Sequence, residues 1–304
     1  MKNSDFIKMT SVSIYSLAFP TDKLVETLEN ATFDTVNDEK LELIRNPITG
    51  EKVHKLGENG LFFSLRAEYK PITATMLTSK TYAMMQDNPE GLAEDELQQL
   101  AYAELMRTLP AVSEIYNVFY NTETQLLIMN NRSKRAKKAL IQLIELFGLA
   151  GVKSVIVSDE KLGLNKKFED YLNHGTPLFK GVEFDFEATL VRENADEKAY
   201  LTCKHVDQPS GKEKALQALK DGFAVQSLKM NCLDDVKFKL DRQLEIRSMR
   251  WTGMAKTANK LDRQGTGCTG IFYGFIQNQF DVLNRIEKHT LLTFTQDTKL
   301  ETFA

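Results

Sequence analysis

Five cationic side chains crowd together in one short stretch of the chain. From Asn130 to Leu140 the sequence reads Asn-Asn-Arg-Ser-Lys-Arg-Ala-Lys-Lys-Ala-Leu, and no acidic residue interrupts the cations. Clustered lysine and arginine side chains neutralise the phosphates of a nucleic-acid backbone. The stretch therefore predicts phosphodiester contacts, and the residues that would make them are Arg132, Lys134, Arg135, Lys137 and Lys138.

The residues that follow this cluster indicate the element that carries it. Leu140, Ile144 and Phe147 have the spacing of the apolar face of a helix, so the cations would fall in its first turn. Cations are unfavourable at the positive end of a helix dipole, whereas free amides there bind phosphate. The pattern predicts a helix start that binds an anion, with Asn131 or Ser133 as its N-cap. A solvated basic helix face accounts for the same charges.

A second cationic stretch has the alternation of a strand. Val236, Phe238 and Leu240 would face one way, and Lys237 and Lys239 the other. This pattern predicts a sheet with one core face and one cationic face, although a solvated face diluted by nearby acids would look the same. The cations that flank the stretch are Lys229, Arg242, Arg247 and Arg250.

Three carboxylates point to a different chemistry. Glu183, Asp185 and Glu187 alternate with apolar residues that end at Phe186, which would place the acids on one strand face where they could hold Mg²⁺ for phosphodiester cleavage. Two-metal cleavage needs carboxylates that converge from more than one element, and no lysine or histidine partner completes this set. A solvated acidic face is the simpler interpretation. A magnesium-dependent nuclease is the alternative function.

Two further motifs carry weaker signals. The run Gly-Thr-Gly-Cys-Thr-Gly that begins at Gly265 has the letters of a dinucleotide fingerprint, but residues 254–264 read as helix or loop where a buried strand is required. We therefore expect no nucleotide or other cofactor. An aromatic run has helical spacing, which favours core or dimer packing over base stacking. Its members are Phe272, Tyr273, Phe275 and Phe280.

The composition limits the class of protein. The 304 residues are 42% hydrophobic and 27% charged with a formal net charge of -3, which fits a soluble protein and excludes a wholly basic coating protein. Cys203, Cys232 and Cys268 lack zinc-site spacing, so we expect reduced thiols. The polar first residues and the lack of a long apolar stretch predict neither secretion nor membrane insertion, and hence a cytoplasmic location.

The order of the predicted elements favours an α+β fold with mixed sheets and packed helices. Helices over residues 73–109, broken near Asn88 to Gly91, look like an insertion into a sheet domain, and a hairpin over 115–130 feeds the basic helix. We predict strands over residues 9–19, 60–69, 152–158, 182–192 and 200–205, a long strand region over 223–251, and helices over 22–30, 211–220 and 271–289. The predicted domains are a central α+β domain (1–72 and 112–180), a helical tip insertion (73–111) and a base domain (181–304).

In chain order, several segments resemble the RdgC family of recombination-associated proteins of bacteria and phages. The segments are Arg-Ala-Glu-Tyr-Lys-Pro at Arg66, Thr-Leu-Pro at Thr108, the hairpin ending at Met129, the basic helix, Tyr-Leu-Asn-His-Gly at Tyr171, Cys-Lys-His-Val-Asp at Cys203, and the strand region Val225 to Leu240. The family has an arginine and a phenylalanine after the Leu-Pro, where this chain has Ala111, Val112 and Ser113. That departure bears on how the tip would close a ring.

The resemblance implies a non-enzymatic protein that binds double-stranded DNA, and single strands as a further possibility, with weak sequence preference. It implies a horseshoe-shaped protomer that closes into a ring-shaped homodimer around the duplex, associates with the nucleoid and limits the access of recombinase filaments. A protein that binds a recombinase without touching DNA is a third hypothesis. With the strand-face cations included, the candidate DNA contacts are Arg132, Lys134, Arg135, Lys137, Lys138, Lys204, His205, Lys229, Lys237, Lys239 and Arg247.

Overall fold

Two sheets form the framework of the protein, which confirms the predicted α+β class. The expectation of mixed sheets was wrong, because the described strands pair antiparallel throughout both sheets. The computed structural model describes residues 1–19, 23–35, 38–88, 90–131, 133–149, 152–157, 160–193, 197–291 and 296–301. Within these ranges, none of the helices combines the length and apolar character needed to cross a bilayer.

The first sheet has eight strands in the described part of the chain. Its order is β13-β7-β1-β6-β5-β4-β2, and β3 pairs with β4 beside β2. The strands are β1 (Ser13–Ser16), β2 (Lys40–Leu43), β3 (Val53–Leu56), β4 (Gly60–Tyr69), β5 (Val112–Asn121), β6 (Leu126–Met129), β7 (Val152–Val157) and β13 (Gln296–Glu301).

The second sheet lies between β7 and β13 along the chain and has the order β12-β11-β10-β8-β9. Its strands are β8 (Glu183–Glu193), β9 (Lys198–Cys203), β10 (Ala224–Cys232), β11 (Val236–Asp241) and β12 (Ile246–Trp251). The helices of the described ranges are α1 (Leu24–Glu29), α2 (Ala74–Gln86), α3 (Glu94–Thr108), α4 (Lys134–Leu146), α5 (Glu160–His174), α6 (Pro209–Lys220), α7 (Met254–Gln264) and α8 (Thr269–His289).

Helices cover both faces of the first sheet. Side chains of α4 join one core cluster with residues such as Phe63, while α8 joins the other with Phe62. Burial on both faces explains why the Gly60–Tyr69 strand reads as a nearly continuous apolar run and not as an alternation. The larger cluster contains side chains of both sheets, and the three-domain division stays a prediction.

The aromatic run of α8 packs into this core, as its helical spacing indicated. Phe272 lies 6.0 Å from Phe62 between ring centroids, and Phe280 lies 6.1 Å from Phe119. Tyr273 donates a hydrogen bond to Glu51. These rings are engaged within the protomer, so the described α8 offers no row of aromatic side chains to a single strand.

Helices α2 and α3 form the predicted helical pair between β4 and β5. Lys80 of α2 bonds Glu104 of α3 over 2.7 Å. Within these two helices, which the structure describes in full, the buried residues are Thr81, Leu97 and Ala101. The helical pair therefore packs little of its surface against the rest of the protomer.

Several predicted boundaries were wrong. The strand expected over residues 9–19 is confined to Ser13–Ser16, because residues 9–12 instead bond the backbone of β12. His205 lies beyond the end of β9 with a left-handed φ of 53°. The elements β2, β3, α5 and β13 were not predicted, since each is short or lacks a clear apolar period.

Candidate nucleic-acid interface

The start of α4 is capped as the sequence predicted. The backbone N–H of Ala136 donates to the hydroxyl oxygen of Ser133 over 3.1 Å, so Ser133 is the N-cap. The N–H of Ser133 in turn donates to the side-chain oxygen of Asn131 over 2.9 Å. Two consecutive polar caps thus fix the backbone at the point where the free amides of the helix begin.

The lysines near the start of α4 lie on the side of the helix that faces away from the sheet. Lys134 and Lys138 are exposed and lie one turn apart, whereas Ala136 and Leu140 are buried against the sheet. Lys137 is half-buried. Arg132 lies outside the described residues, so its predicted role stays a prediction. Two exposed ammonium groups therefore stand beside a capped helix start, an arrangement that suits a phosphate.

Arg135 is already engaged inside the protomer. Its guanidinium carbon lies 3.4 Å from the centroid of the Tyr69 ring, and its Nε donates to Glu39 over 3.1 Å. Its Nη1 is also 3.9 Å from Glu114, whose carboxylate accepts hydrogen bonds from the hydroxyl groups of Tyr69 and Tyr116. Two carboxylates thus balance the charge of Arg135, which ties α4 to β5 and to the residue before β2. Its contact with DNA stays a prediction.

The second sheet carries a row of cations on one face. In the register of the antiparallel strands, Lys229 of β10 pairs with Lys239 of β11, which pairs with Arg247 of β12. In the neighbouring row Lys237 pairs with Arg250. The alternation predicted for Val236 to Leu240 is confirmed, because the two lysines point away from the core.

Carboxylates neutralise part of this row. Asp185 lies between two lysines, 3.2 Å from Lys229 and 3.3 Å from Lys237, and Glu187 is 3.7 Å from Lys229. Arg247 pairs with Asp241 over 3.1 Å and also with Glu245. Of the cations in the two rows, Lys239 and Arg250 have no carboxylate within ion-pair distance among the described residues. They are the ones that remain available to an external anion.

The regular alternation expected for Glu183 to Glu187 is interrupted at Phe186. Phe184 pairs with Met230 and Ala188 with Leu228, so three residues of β8 face the single Lys229 of β10. This β-bulge gives Phe186 a left-handed φ of 51° and leaves its side chain 42% exposed. The same bulge brings both Asp185 and Glu187 against Lys229, and these two acids are paired with lysines instead of facing an open site.

A short segment joins the two cationic surfaces. The side chain of Asn130, just before α4, donates to the carbonyl oxygen of Lys8 over 2.9 Å. The indole N–H of Trp251, at the end of β12, donates to the carbonyl oxygen of Met9 over 2.9 Å. The N–H of Met249 donates to the carbonyl oxygen of Thr10 over 2.7 Å. The start of α4 and strand β12 therefore lie on either side of the same few residues.

Lys204 and His205 lie elsewhere. Both are exposed and follow β9, which is at the edge of the second sheet opposite to β12. Four strand spacings of about 4.8 Å place this edge roughly 19 Å from β12. The structure thus brings the cations of β11 and β12 towards α4 and leaves Lys204 and His205 apart. Arg250, a flanking cation that was not among the candidate contacts, lies on the nearer edge.

The structure describes the residues of both rival chemistries, the metal site and the dinucleotide fingerprint. In the described residues, no three His, Cys, Asp or Glu side chains are grouped so that they could hold a metal ion. The run at Gly265 forms a short 3₁₀ turn between α7 and α8, so a helix and not a strand precedes it. The fingerprint therefore lacks the strand-to-helix context that dinucleotide binding requires.

Comparison with known protein families gives a match over most of the chain. A protein-family model described as "Putative exonuclease, RdgC" matches residues 9–267 of the chain. The match covers every strand of both sheets apart from β13. It also covers the helical pair, the basic helix and residues 9 and 10 of the segment that joins the two cationic surfaces. No curated protein matches the chain.

Proposed function

The chain belongs to the RdgC family, and from this premise we propose that it binds DNA through the phosphate backbone without sequence specificity. Family membership supports a DNA-associated role connected with recombination. The finer proposal is a ring-forming homodimer that occupies duplex DNA and limits recombinase access.

One observation carries the proposal: the capped start of α4 presents free amides beside Lys134 and Lys138, with no acid in its first turn. Cations at this position destabilise a helix unless an anion is bound there. A backbone phosphate satisfies both the amides and the ammonium groups. Contacts to phosphate position a protein on DNA but do not read its sequence, so the proposed binding is non-specific.

The neighbouring strand β12 extends this surface. Arg250 is exposed and Lys239 lies one strand further into the sheet, and neither has a carboxylate partner among the described residues. Because β12 and the start of α4 share the segment from Lys8 to Thr10, a backbone that runs along one can reach the other. The proposed interface is therefore α4 together with the β11–β12 edge.

The dimer is the second part of the proposal. The helical pair exposes large apolar side chains, among them Tyr82, Met85 and Leu100. Contiguous exposed apolar side chains commonly mark protein contacts. We place one contact between protomers here, at the position where the family resemblance puts the tip of the horseshoe.

The experiment is a binding titration of the purified protein with a labelled linear duplex across a salt series. If about five cations neutralise phosphates, log affinity should fall against log salt with a slope of about -4 to -5. A slope near zero, or no binding at low salt, would contradict the proposal.

The same titration separates the alternatives. It is run with Mg²⁺ present, and the DNA is then resolved on a denaturing gel. Shortened DNA would favour the nuclease that the family description names, and Asp185 would then be the first residue to test. Recombinase binding in the absence of any DNA binding would favour a protein-binding module.

A further inference from the structure

Strand β2 leaves one side of its backbone open. It is the last strand in the order of the first sheet, and among the described strands it pairs with β4 alone. Strand β3 pairs with a different part of the same β4 edge and does not cover β2. The outer edge of Lys40–Leu43 is therefore a sheet edge.

The hydrogen bonding shows which groups face outwards. The N–H of Ile44 donates to the carbonyl of Ser64 over 3.1 Å, which makes this a hydrogen-bonded pair of the antiparallel ladder. Alternate residues then face β4, and the residues between them, Leu41 and Leu43, direct their N–H and C=O groups away from it. Neither of these two residues makes an outward hydrogen bond within the described part of the chain. The two N–H donors and two C=O acceptors of these residues can therefore pair with another strand.

A cleft lies on each side of this edge. One, of about 200 Å³, opens between β2 and α4 and includes Leu41, Ala67 and Ile141 in its lining. The other, of about 460 Å³, opens between β2 and residues 31–33 and includes Leu43. The side chains of an added strand would point alternately to the two faces of the sheet. An apolar side chain on the face of α4 could enter the cleft between β2 and α4.

The larger cleft is cationic. Lys40, Arg45 and Lys52 line it, and Glu42 is the one acid in its described lining. Glu42 is paired with Arg66 of β4, so it does not offset the three cations. Arg45 and Lys52 donate to backbone carbonyls, over 3.1 and 2.7 Å. The surroundings of the open edge thus favour a partner with carboxylates.

We propose that the edge of β2 binds an extended peptide with acidic side chains, which adds to the first sheet as a further strand. A second copy of this edge is a poor partner, because it would bring the same three cations, Lys40, Arg45 and Lys52, up to a cleft that is already cationic. A nucleic-acid backbone would satisfy the outward N–H groups, but its phosphates have no donor for the outward carbonyls of Leu41 and Leu43. A peptide backbone supplies both. This interaction requires no DNA, although Lys138 of the proposed DNA interface also lines the cleft against α4.

Amide hydrogen exchange on the full-length protein tests the premise. The amides of Leu41 and Leu43 should exchange quickly, and those of Glu42 and Ile44 slowly. Slow exchange at Leu41 and Leu43 in the free protein would overturn the proposal, because the edge would already be paired.

The probe is a fluorescein-labelled octapeptide, Asp-Val-Asp-Leu-Glu-Val-Asp-Leu, titrated to millimolar concentration. Its binding should slow exchange at Leu41 and Leu43. A version that is N-methylated at every residue removes the backbone donors of both edges and should not bind. Equal binding by the methylated peptide, or no binding by the parent peptide, would contradict strand addition.

Charge reversal completes the test. Lys40→Glu with Arg45→Glu should weaken the probe about tenfold, since each lost pair contributes about 0.5–1 kcal/mol. The matched control is Lys55→Glu, an exposed lysine of β3 that lines neither cleft, and it should leave the affinity unchanged. If the double reversal abolished duplex binding and left the peptide affinity unchanged, the edge would be a DNA contact and the proposal would fail.

Discussion

Asn130 and Trp251 donate hydrogen bonds to adjacent carbonyl groups of the backbone, those of Lys8 and Met9, each over 2.9 Å. Asn130 precedes the basic helix and Trp251 ends strand β12. Two cationic segments that are about 120 residues apart in the sequence are therefore fixed to the same short stretch of chain. This arrangement makes one continuous interface possible and leads to the first two predictions.

Reversing the two exposed lysines of α4 should remove most of the DNA binding. Lys134→Glu with Lys138→Glu replaces cations at a helix start with acids, which interact favourably with the dipole, so the fold should be retained. Loss of two phosphate contacts should make the salt slope less steep by about 1.8. Lys55→Glu serves as the control. An unchanged slope in the double variant would exclude this helix from the interface.

Arg250 should act in the same binding event as Lys134. Arg250→Glu is expected to weaken duplex binding, and in a double-mutant cycle with Lys134→Glu the two effects should not add, because a backbone that has lost one contact no longer reaches the other. Lys204→Glu, on the opposite edge of the sheet, should add independently. Strict additivity of Arg250 and Lys134 would mean that α4 and β12 bind separately.

Short-range rules predicted much of the interface from the sequence. The alternation of Val236 to Leu240 placed Lys237 and Lys239 on the outer face, and the helical spacing after Ser133 gave both α4 and its cap. Each of these inferences depends on neighbours a few residues apart, where backbone period and side-chain direction are fixed by local geometry.

Long-range pairing was beyond the reach of these rules. Arg135 pairs with Glu39, which is 96 residues away in the sequence, and no spacing within the basic run indicates this contact. Asp185 was assigned to a metal site and Lys237 to DNA contact, yet the two side chains form an ion pair across the second sheet. They meet because the bulge at Phe186 shifts the register of β8. A two-residue insertion of this kind cannot be read from alternation alone.

Asp185 restrains two lysines of the second sheet, so removing its charge should strengthen DNA binding if that face takes part. Asp185→Asn leaves Lys229 with Glu187 and releases Lys237. We expect tighter duplex binding and a salt slope steeper by about 1. Asp170→Asn, which removes an ion-paired acid from α5, is the control.

The same substitution tests the nuclease alternative. A nuclease that uses this acid would lose DNA cleavage in the Asp185→Asn variant. Unaltered affinity and slope, without cleavage by either protein, would show that the face of β10 and β11 does not contact DNA.

Glu287 should make the protein less stable as pH rises. Its side chain is 3% exposed, and its Oε1 has no hydrogen-bond partner among the residues that the structure describes. Burial raises its pKa from 4.5 to about 8. Between these values the folded state keeps a proton that the unfolded state releases, so this contribution to stability is complete below pH 4.5 and is lost towards pH 8. The expected loss is about 1.4 kcal/mol per pH unit.

Glu287→Gln removes the ionisable group and should flatten this dependence. Denaturant unfolding at a series of pH values measures it, with the exposed Glu58→Gln as the control. The difference between Glu287→Gln and the parent protein should grow from pH 5 to pH 8. Parallel stability curves would show that Glu287 is not a buried acid in solution.

The helical pair should contribute to self-association. Leu100 is 49% exposed on α3, and Tyr82 on α2 is 63% exposed. Leu100→Glu would place a charge in a contact that depends on apolar burial, at a cost of at least the 1.5–3 kcal/mol that burying a leucine contributes, or roughly tenfold or more in dimer dissociation. Sedimentation across a concentration series measures that constant even where a second contact keeps the protomers together.

Leu233→Glu is the matched control for this prediction. Leu233 is 52% exposed in the turn between β10 and β11, so the substitution adds the same charge at a comparable surface position. The dissociation constant should rise for Leu100→Glu and stay unchanged for Leu233→Glu, while both variants keep the far-ultraviolet spectrum of the parent protein. If both constants stay unchanged, the helical pair does not form the contact between protomers, and its apolar side chains require a different partner.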